Sequence, residues 1–263
     1  MNTQTPEPFV RTASSLSVHS IFHTIQGEGP FTGHRAVFIR LAGCNIQCPG
    51  CDTDYTSHRR NLTVNEIVSA VTDLLPPCGP SLVVLTGGEP FRQPVAPLLV
   101  ALVQAGYFVQ VETNGTLRPP TLEFAAPPVL YESSFHPWNV SGYNLNPTAR
   151  LGVYIVVSPK TMRINERVLK DACAFKYVLT DGDICEDGLP NRVLSMPGAH
   201  RVARPRCGAW VYVQPCDEQD EAKNKRNLKA AMNSCKEHGF LLQLQIHKFI
   251  WNILTLLVLP LML

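Results

Sequence analysis

The chain has 263 residues, 45% of them hydrophobic and 17% charged, with a formal net charge of +2. Such a balance excludes a largely disordered protein, and the length suits one large α/β domain. The near-zero charge argues neither for nor against a polyanionic partner, so any anion must be recognised by local groups; no nucleic-acid partner is expected.

The opening segment MNTQTPEPFVRTASS lacks the continuous apolar stretch of a secretory signal, so a cytoplasmic, reducing location is expected for the nine cysteines. The first apolar run, AVFIRLA (36–42), reads as a strand too uniformly apolar to have a wet face. It leads into GCNIQCPGCDTDYT (43–56), which places Cys44, Cys48 and Cys51 on one short loop. Thr63 and Glu66 then make a capping box. Behind it Val64, Ile67, Val68, Val71 and Leu75 form a helical stripe that Pro76 and Pro77 stop.

LVVLT (82–86) is the next strand and runs into Gly87-Gly88-Glu89-Pro90. A helix over Val95–Ala105 follows, with Gly106 placed for a left-handed cap, and then the strand YFVQVET (107–113) before Asn114-Gly115. Segments 119–134 and 136–150 are loop-like, with many Pro, Asn and Ser. The strand VYIVVS (153–158) ends in Ser158-Pro159-Lys160, and a helix is expected over Asn165–Ala172. FKYVLT (175–180), WVYVQP (210–215) and LLQLQI (241–246) complete the strands, with a helix over 218–237 before the last. The terminal run FIWNILTLLVLPLML (249–263) is shorter than the roughly twenty residues of a spanning helix and is broken by Pro260, so no membrane span is expected.

Strand, loop and helix in alternation argue for parallel βαβ units. A closed eightfold barrel takes about 250 residues and eight of each element. The six or seven strands and four clear helices here point instead to an incomplete TIM-like barrel of the α/β class. Residues 1–17 would be an N-terminal extension, 18–248 the core domain and 249–263 a divergent apolar tail.

In parallel α/β folds ligands collect where strands end, and five strand ends here carry polar residues, which describes a large polar pocket. Three thiols in a Cx3CxxC spacing leave three readings open: zinc, with His58 or a remote cysteine as the fourth ligand; an electron carrier with four cysteines; or a 4Fe-4S cluster with one iron free. Cys78, Cys173, Cys185, Cys207, Cys216 and Cys235 are scattered and read as buried small hydrophobes.

Cx3CxxC after a first strand, with Gly87-Gly88-Glu89-Pro90 after the next, resembles the radical S-adenosylmethionine superfamily. The resemblance implies a cluster whose open iron binds S-adenosylmethionine, and reductive cleavage to a 5′-deoxyadenosyl radical that abstracts a substrate hydrogen. Within it, FHTIQGEGPFTGHRAVFIRLAGCNIQCPGCDTDYT, LTGGEP, VETNGT, VSPK, VYVQP and LQIHK together resemble the 7-carboxy-7-deazaguanine synthase family, from about Val18 to Lys248. This family contracts the ring of 6-carboxy-5,6,7,8-tetrahydropterin with loss of ammonia, in the queuosine pathway.

The resemblance implies that Cys44, Cys48 and Cys51 hold the cluster and that Thr53 ligates a magnesium ion. It implies pterin contacts from Ile25, Gln26, Gly27, Arg40 and Thr86. An S-adenosylmethionine site would be lined by Gly50, Cys51, Asp52, Gly88, Ser158, Pro159, Lys160 and Gln214, with Glu89 at its ammonium. Arg40 suits a carboxylate, because a guanidinium grips one with two bonds. An external donor such as flavodoxin or ferredoxin, and a homodimer, are also implied. The roles of Glu28 and Glu112 stay open, and His247-Lys248 is either a substrate or dimer contact or simply structural. Ile246 stands where the family pattern LQTHK has a hydroxyl residue, and after Lys248 the pattern is left altogether. Other readings are a glycyl-radical activase with the same cluster, and a non-catalytic zinc or iron–sulfur protein.

Overall fold

The computed structural model describes residues 3–48, 50–51, 53–75, 81–124, 149, 151–192, 201–246 and 248–250. Most of the expected loop region 119–150, Asp52, His247 and nearly all of the apolar tail lie outside the described residues. Among those described, the strands are β1 (Leu16–Ile25), β2 (Arg35–Leu41), β3 (Arg60–Leu62), β4 (Leu82–Gly87), β5 (Phe108–Thr113), β6 (Val153–Val157), β7 (Ala172–Leu179), β8 (Trp210–Pro215) and β9 (Leu241–Leu242). The helices are α1 (Val64–Leu74), α2 (Ala96–Gln104), α3 (Glu166–Asp171) and α4 (Glu221–His238).

All nine strands join one open sheet in the order β3-β1-β2-β4-β5-β6-β7-β8-β9. From β2 to β9 every pairing is parallel, while β1 runs antiparallel to both β2 and β3. Among the described residues the sheet stays open, with β3 and β9 at its two edges, which is the incomplete barrel expected from the strand count. Two strands go beyond that count. β1 mixes Ser, His and Thr among its apolar residues, and β3 has only three residues. β9 is in turn shorter than expected, because the chain leaves the ladder after Leu242.

Alternation along the strands explains the architecture. On β4, Val83 and Leu85 point into one cluster, with Val37, Ile39 and Leu41 of β2, and all four described helices add residues to it, such as Ile67, Leu98, Val168 and Ala231. Leu82 and Val84 point the other way, into a smaller cluster with Phe31, Ala36, Phe108 and Tyr154. The uniformly apolar sequence of these strands follows from burial on both faces. Further along, the second face changes character. In step with Ala36 and Phe38 comes Arg40, and in step with Leu82 and Val84 comes Thr86. Phe108 is followed in the same register by Gln110 and Glu112. One face of the sheet is therefore apolar at the strands' beginnings and polar towards their ends.

The helices obey their local signals. Thr63 accepts from the Glu66 backbone while the Glu66 side chain accepts from the Thr63 backbone, closing the capping box. Asn165 and Asp220 cap α3 and α4 through their side chains. No helix among the described residues is long and apolar enough to cross a membrane.

Candidate active site

The polar stretch of the sheet face opens into a cavity of about 540 Å³. Its rim is made where parallel strands end: the thiol loop after β2, Thr86 to Gly88 at β4, Thr113 and Asn114 at β5, Ser158 and Lys160 after β6, and Gln214 on β8. Cys44, Cys48 and Cys51 all face this space, together with Gly50 and Thr53. Arg40, Ile25, Gln26 and Gly27 line it as well. Of the expected site residues, Glu89 and Pro159 are not among its lining, and Asp52 lies outside the described residues.

The thiols are free cysteines. Burial pushes the Cys44 thiol up to about 11, with Glu89, Cys48 and Cys51 adding to the rise. Burial also raises Cys48, against an opposing pull from the Lys160 ammonium. Thiols held this way are poor nucleophiles, since the reactive thiolate is disfavoured, and they suit ligands that lose their protons to a metal. Thiols sharing one zinc at about 2.3 Å must crowd together. Among the described residues no three His, Cys, Asp or Glu side chains converge on a single ion position. Three thiols facing one space suit a cluster, in which each binds its own iron.

The glycine pair at the end of β4 keeps the rim tight. A Cβ on Gly88 would lie 1.9 Å from the carbonyl oxygen of Gly43, so no side chain fits there while the cysteine loop packs against it. Glu89 sits behind this contact and is wholly buried. Its Oε1 accepts from the Phe91 amide (3.0 Å) and from Thr113 Oγ1 (2.7 Å), and its Oε2 from the Asn114 amide (2.8 Å). Both oxygens therefore tie the end of β4 to the end of β5. Burial nevertheless pushes its carboxyl up to about 7.

The far end of the cavity is built differently. Ile25 pairs with Arg35 at the start of β2, so the β1–β2 hairpin loop leaves the sheet at the end opposite to the thiols. It then folds across the polar face. Phe31 anchors it by packing edge-on against Tyr154, with ring centroids 4.9 Å apart. Glu28 thereby reaches Lys176 of β7 (2.6 Å), whose ammonium also lies 3.4 Å from Glu112 of β5. Burial alone would lower the Lys176 pKa, but Glu112 and Glu28 outweigh it and hold the ammonium protonated well above its ordinary range. Glutamine amides close the network: Gln26 and Gln110 donate to Glu112 (3.2 and 2.8 Å), and Gln245 donates to Glu28 (2.6 Å). Gln243 accepts from the Gly29 amide and donates to Gln214. Lys176, Gln243 and Gln245 were hidden in apolar strand readings, and only an ionisable residue inside FKYVLT hinted at the first.

Between the two ends stands Arg40. Its Cα pairs with that of Thr86 across the ladder, and its guanidinium lies 5.4 Å from the Phe22 ring centroid. Its Nε is buried without a hydrogen-bond partner among the described residues. A buried donor left this way is costly unless a ligand satisfies it.

An open, largely parallel sheet that sets three thiols and a glycine pair at the strand ends, above a charged floor, has the design of a radical S-adenosylmethionine enzyme. The Radical SAM superfamily model matches residues 38–127. A Rhodospirillum rubrum protein named 7-carboxy-7-deazaguanine synthase is 39% identical over 243 residues, 90% of this chain and 92% of its own. A Rickettsia prowazekii protein of the same name is 32% identical over 246 residues, 90% of this chain and 88% of its own. The chain belongs to the 7-carboxy-7-deazaguanine synthase family. The crystal structure of QueE from Escherichia coli shares the fold, with a TM-score of 0.56, 20% identity, and coverage of 87% of this chain and 92% of that one.

Proposed function

We propose that the protein converts 6-carboxy-5,6,7,8-tetrahydropterin into 7-carboxy-7-deazaguanine, releasing ammonia. The observation that carries this reading is the pairing, in one cavity, of a three-thiol rim with a guanidinium whose Nε has no partner among the described residues and a charged floor. A radical source and a small, carboxylated, donor-rich substrate need those two environments side by side.

Cys44, Cys48 and Cys51 would hold a 4Fe-4S cluster, which with S-adenosylmethionine supplies the means to abstract a substrate hydrogen atom. Gly50, Gly88, Ser158, Lys160 and Gln214 would receive the S-adenosylmethionine. The bare backbone at Gly88 permits close approach, and Lys160 offers a cation beside Cys48. Asp52 and Pro159 join this set through the family pattern. Glu89 takes a supporting part, fixing the strand ends from behind. Arg40 would take the pterin carboxylate in a two-bond grip, satisfying its buried Nε. Thr86 stands beside it, and Ile25, Gln26 and Gly27 would meet the ring. Glu28 and Glu112 offer acceptors to the ring's amino and amide donors, with Lys176 offsetting their charge. Thr53, facing the same space, suits magnesium, a hard cation that prefers oxygen and keeps several waters. An external reductant such as flavodoxin or ferredoxin and a homodimeric assembly complete the proposal.

Anaerobic turnover of the carboxy-tetrahydropterin with S-adenosylmethionine, reductant and magnesium tests it. A deazaguanine product is expected, and a cluster-loaded protein that forms none refutes the reading. Thr53→Ala should keep the iron content of the parent while raising the magnesium needed for half-maximal turnover about tenfold, in line with the loss of one metal ligand or its supporting partner.

A further inference from the structure

We propose that the segment Gln4–Val10 is a clamp on the thiol loop, with Gln4 and Glu7 as positioning residues for the cluster thiols and for Thr53. This rests on the reading of that loop as the cluster site.

The segment precedes β1 and reads in the sequence as an extension outside the core, yet it is bonded to the loop at both of its ends. At the first end, the Glu7 amide donates to the Cys44 carbonyl (2.7 Å). At the other, the Gln4 side chain grips the backbone like a strand neighbour. Its Nε2 donates to the Thr53 carbonyl (2.9 Å), and its Oε1 accepts from the Tyr55 amide (2.7 Å) and from Thr56 Oγ1 (3.2 Å). The two ends are also joined to each other, since the Gly43 amide donates to the Tyr55 carbonyl (2.8 Å).

Glu7 adds an electrostatic lock. Its carboxylate pairs with Arg92 (3.2 Å) and with Arg59. Arg92 is 4% exposed and donates through Nη2 to the Ala42 carbonyl and through Nη1 to the Pro8 carbonyl, both at 3.0 Å. The Val10 amide returns a bond to the Arg92 carbonyl (2.8 Å). The pair lies directly on the chain entering the loop. At Gly43, whose φ is +82, a Cβ would stand 2.4 Å from Arg92 Nη2 and 2.6 Å from Glu7 Oε2. The loop is thus wedged between Gly88 on one side and Glu7–Arg92 on the other.

A loop that must present three thiols to a rigid cluster and a hydroxyl to an adjacent cation loses much conformational freedom on binding. Fixing Cys44, Thr53 and Tyr55 in advance removes part of that cost, and an anchored loop releases its metal more slowly. The carbonyl of Thr53 held by Gln4 is also 3.7 Å from Cys51 Sγ, so one amide sets the spacing between the last thiol and Thr53.

The test uses the full chain, reconstituted anaerobically, with Gln4→Ala, Glu7→Ala and the conservative Glu7→Gln. Iron release to a chelator should quicken about tenfold in the two alanine variants, Gln4→Ala losing three side-chain hydrogen bonds and Glu7→Ala two ion pairs, with Glu7→Gln between them and the parent. The electron paramagnetic resonance spectrum of the reduced cluster should change on adding S-adenosylmethionine in the parent and give a broader or shifted signal in Gln4→Ala. The iron-free Gln4→Ala protein should melt within a few degrees of the parent, while the two Glu7 variants should melt lower because Arg92 loses its carboxylate. Release rates and spectra that match the parent overturn the clamp. Should the alanine variants fail to fold, Glu7→Gln decides by the same two readouts. A parent chain that takes up no 4Fe-4S cluster overturns the cluster reading and the clamp with it.

Discussion

The two ends of the cavity are made in opposite ways. At the rim, Cys44, Cys48, Cys51, Gly50 and Thr53 come from one loop, and Gly87 and Gly88 from the next strand end. At the floor, Glu28, Glu112, Lys176 and Gln245 come from four distant segments, and the Gln245–Glu28 bond spans 217 positions. Among the described lining residues the rim carries one charge, that of Lys160, and burial keeps the thiols of Cys44 and Cys48 protonated. The floor holds two carboxylates that both pair with one ammonium. The contrast shows how one fold separates its tasks. A cluster needs ligands in a fixed local spacing, which a short loop supplies, whereas an irregular polar substrate needs groups from several directions, which only the assembled sheet supplies.

The largest expected effect breaks the rim alone. Cys48→Ala or Cys51→Ala should remove cluster binding, with iron content and turnover both falling to background. The floor should not notice. Both residues are only half-buried, so the iron-free variants should melt within about 1 kcal/mol of the parent, as surface changes usually do. A variant that loses iron and fold together would show that the two ends are not separable.

Breaking the floor should reverse the pattern. Lys176→Met leaves Glu28 and Glu112, both partly buried, without the cation they share, a loss of about 3 kcal/mol. Thermal or denaturant unfolding of the iron-free protein measures it. Adding Glu112→Gln should recover part of the loss, because one of the two opposed charges then disappears. Cluster assembly, measured by iron content at a temperature where the variant is folded, should stay at the parent level.

The same division explains what the sequence disclosed. The thiol loop, the Gly87-Gly88 pair, the α1 capping box and the parallel strands were all legible, because each is a local pattern of spacing or periodicity. The hairpin that carries Gln26, Gly27 and Glu28 was legible as a motif but not as a place: strand-end logic puts ligands at the rim, and this loop arrives from the opposite end of the sheet. β1 escaped notice because its Ser, His and Thr positions weaken the apolar run. Lys176 and Gln245 were hidden because their partners lie far away in the chain, and Gln4 and Glu7 because nothing in a polar N-terminal segment announces what it will touch.

The finest distinction between the two ends lies in one carboxyl group at the rim. Glu89 is wholly buried and, among the described residues, has no cation against it, unlike Glu28 and Glu112; burial lifts it from an ordinary value of 4.5 to about 7 although three donors oppose the rise. Between pH 4.5 and 7 the folded chain keeps this proton and the unfolded chain has released it, so the folded state binds more protons and stability falls as pH rises. The shift corresponds to about 3 kcal/mol, fully present as a penalty above pH 7. Denaturant unfolding of the iron-free protein across that window should show the decline, and Glu89→Gln should flatten it. The variant should also start lower at acid pH, because the new amide faces a backbone donor where an oxygen stood. A parent whose stability rises across the window would mean that the three donors overcome burial and that Glu89 is ionised behind the rim.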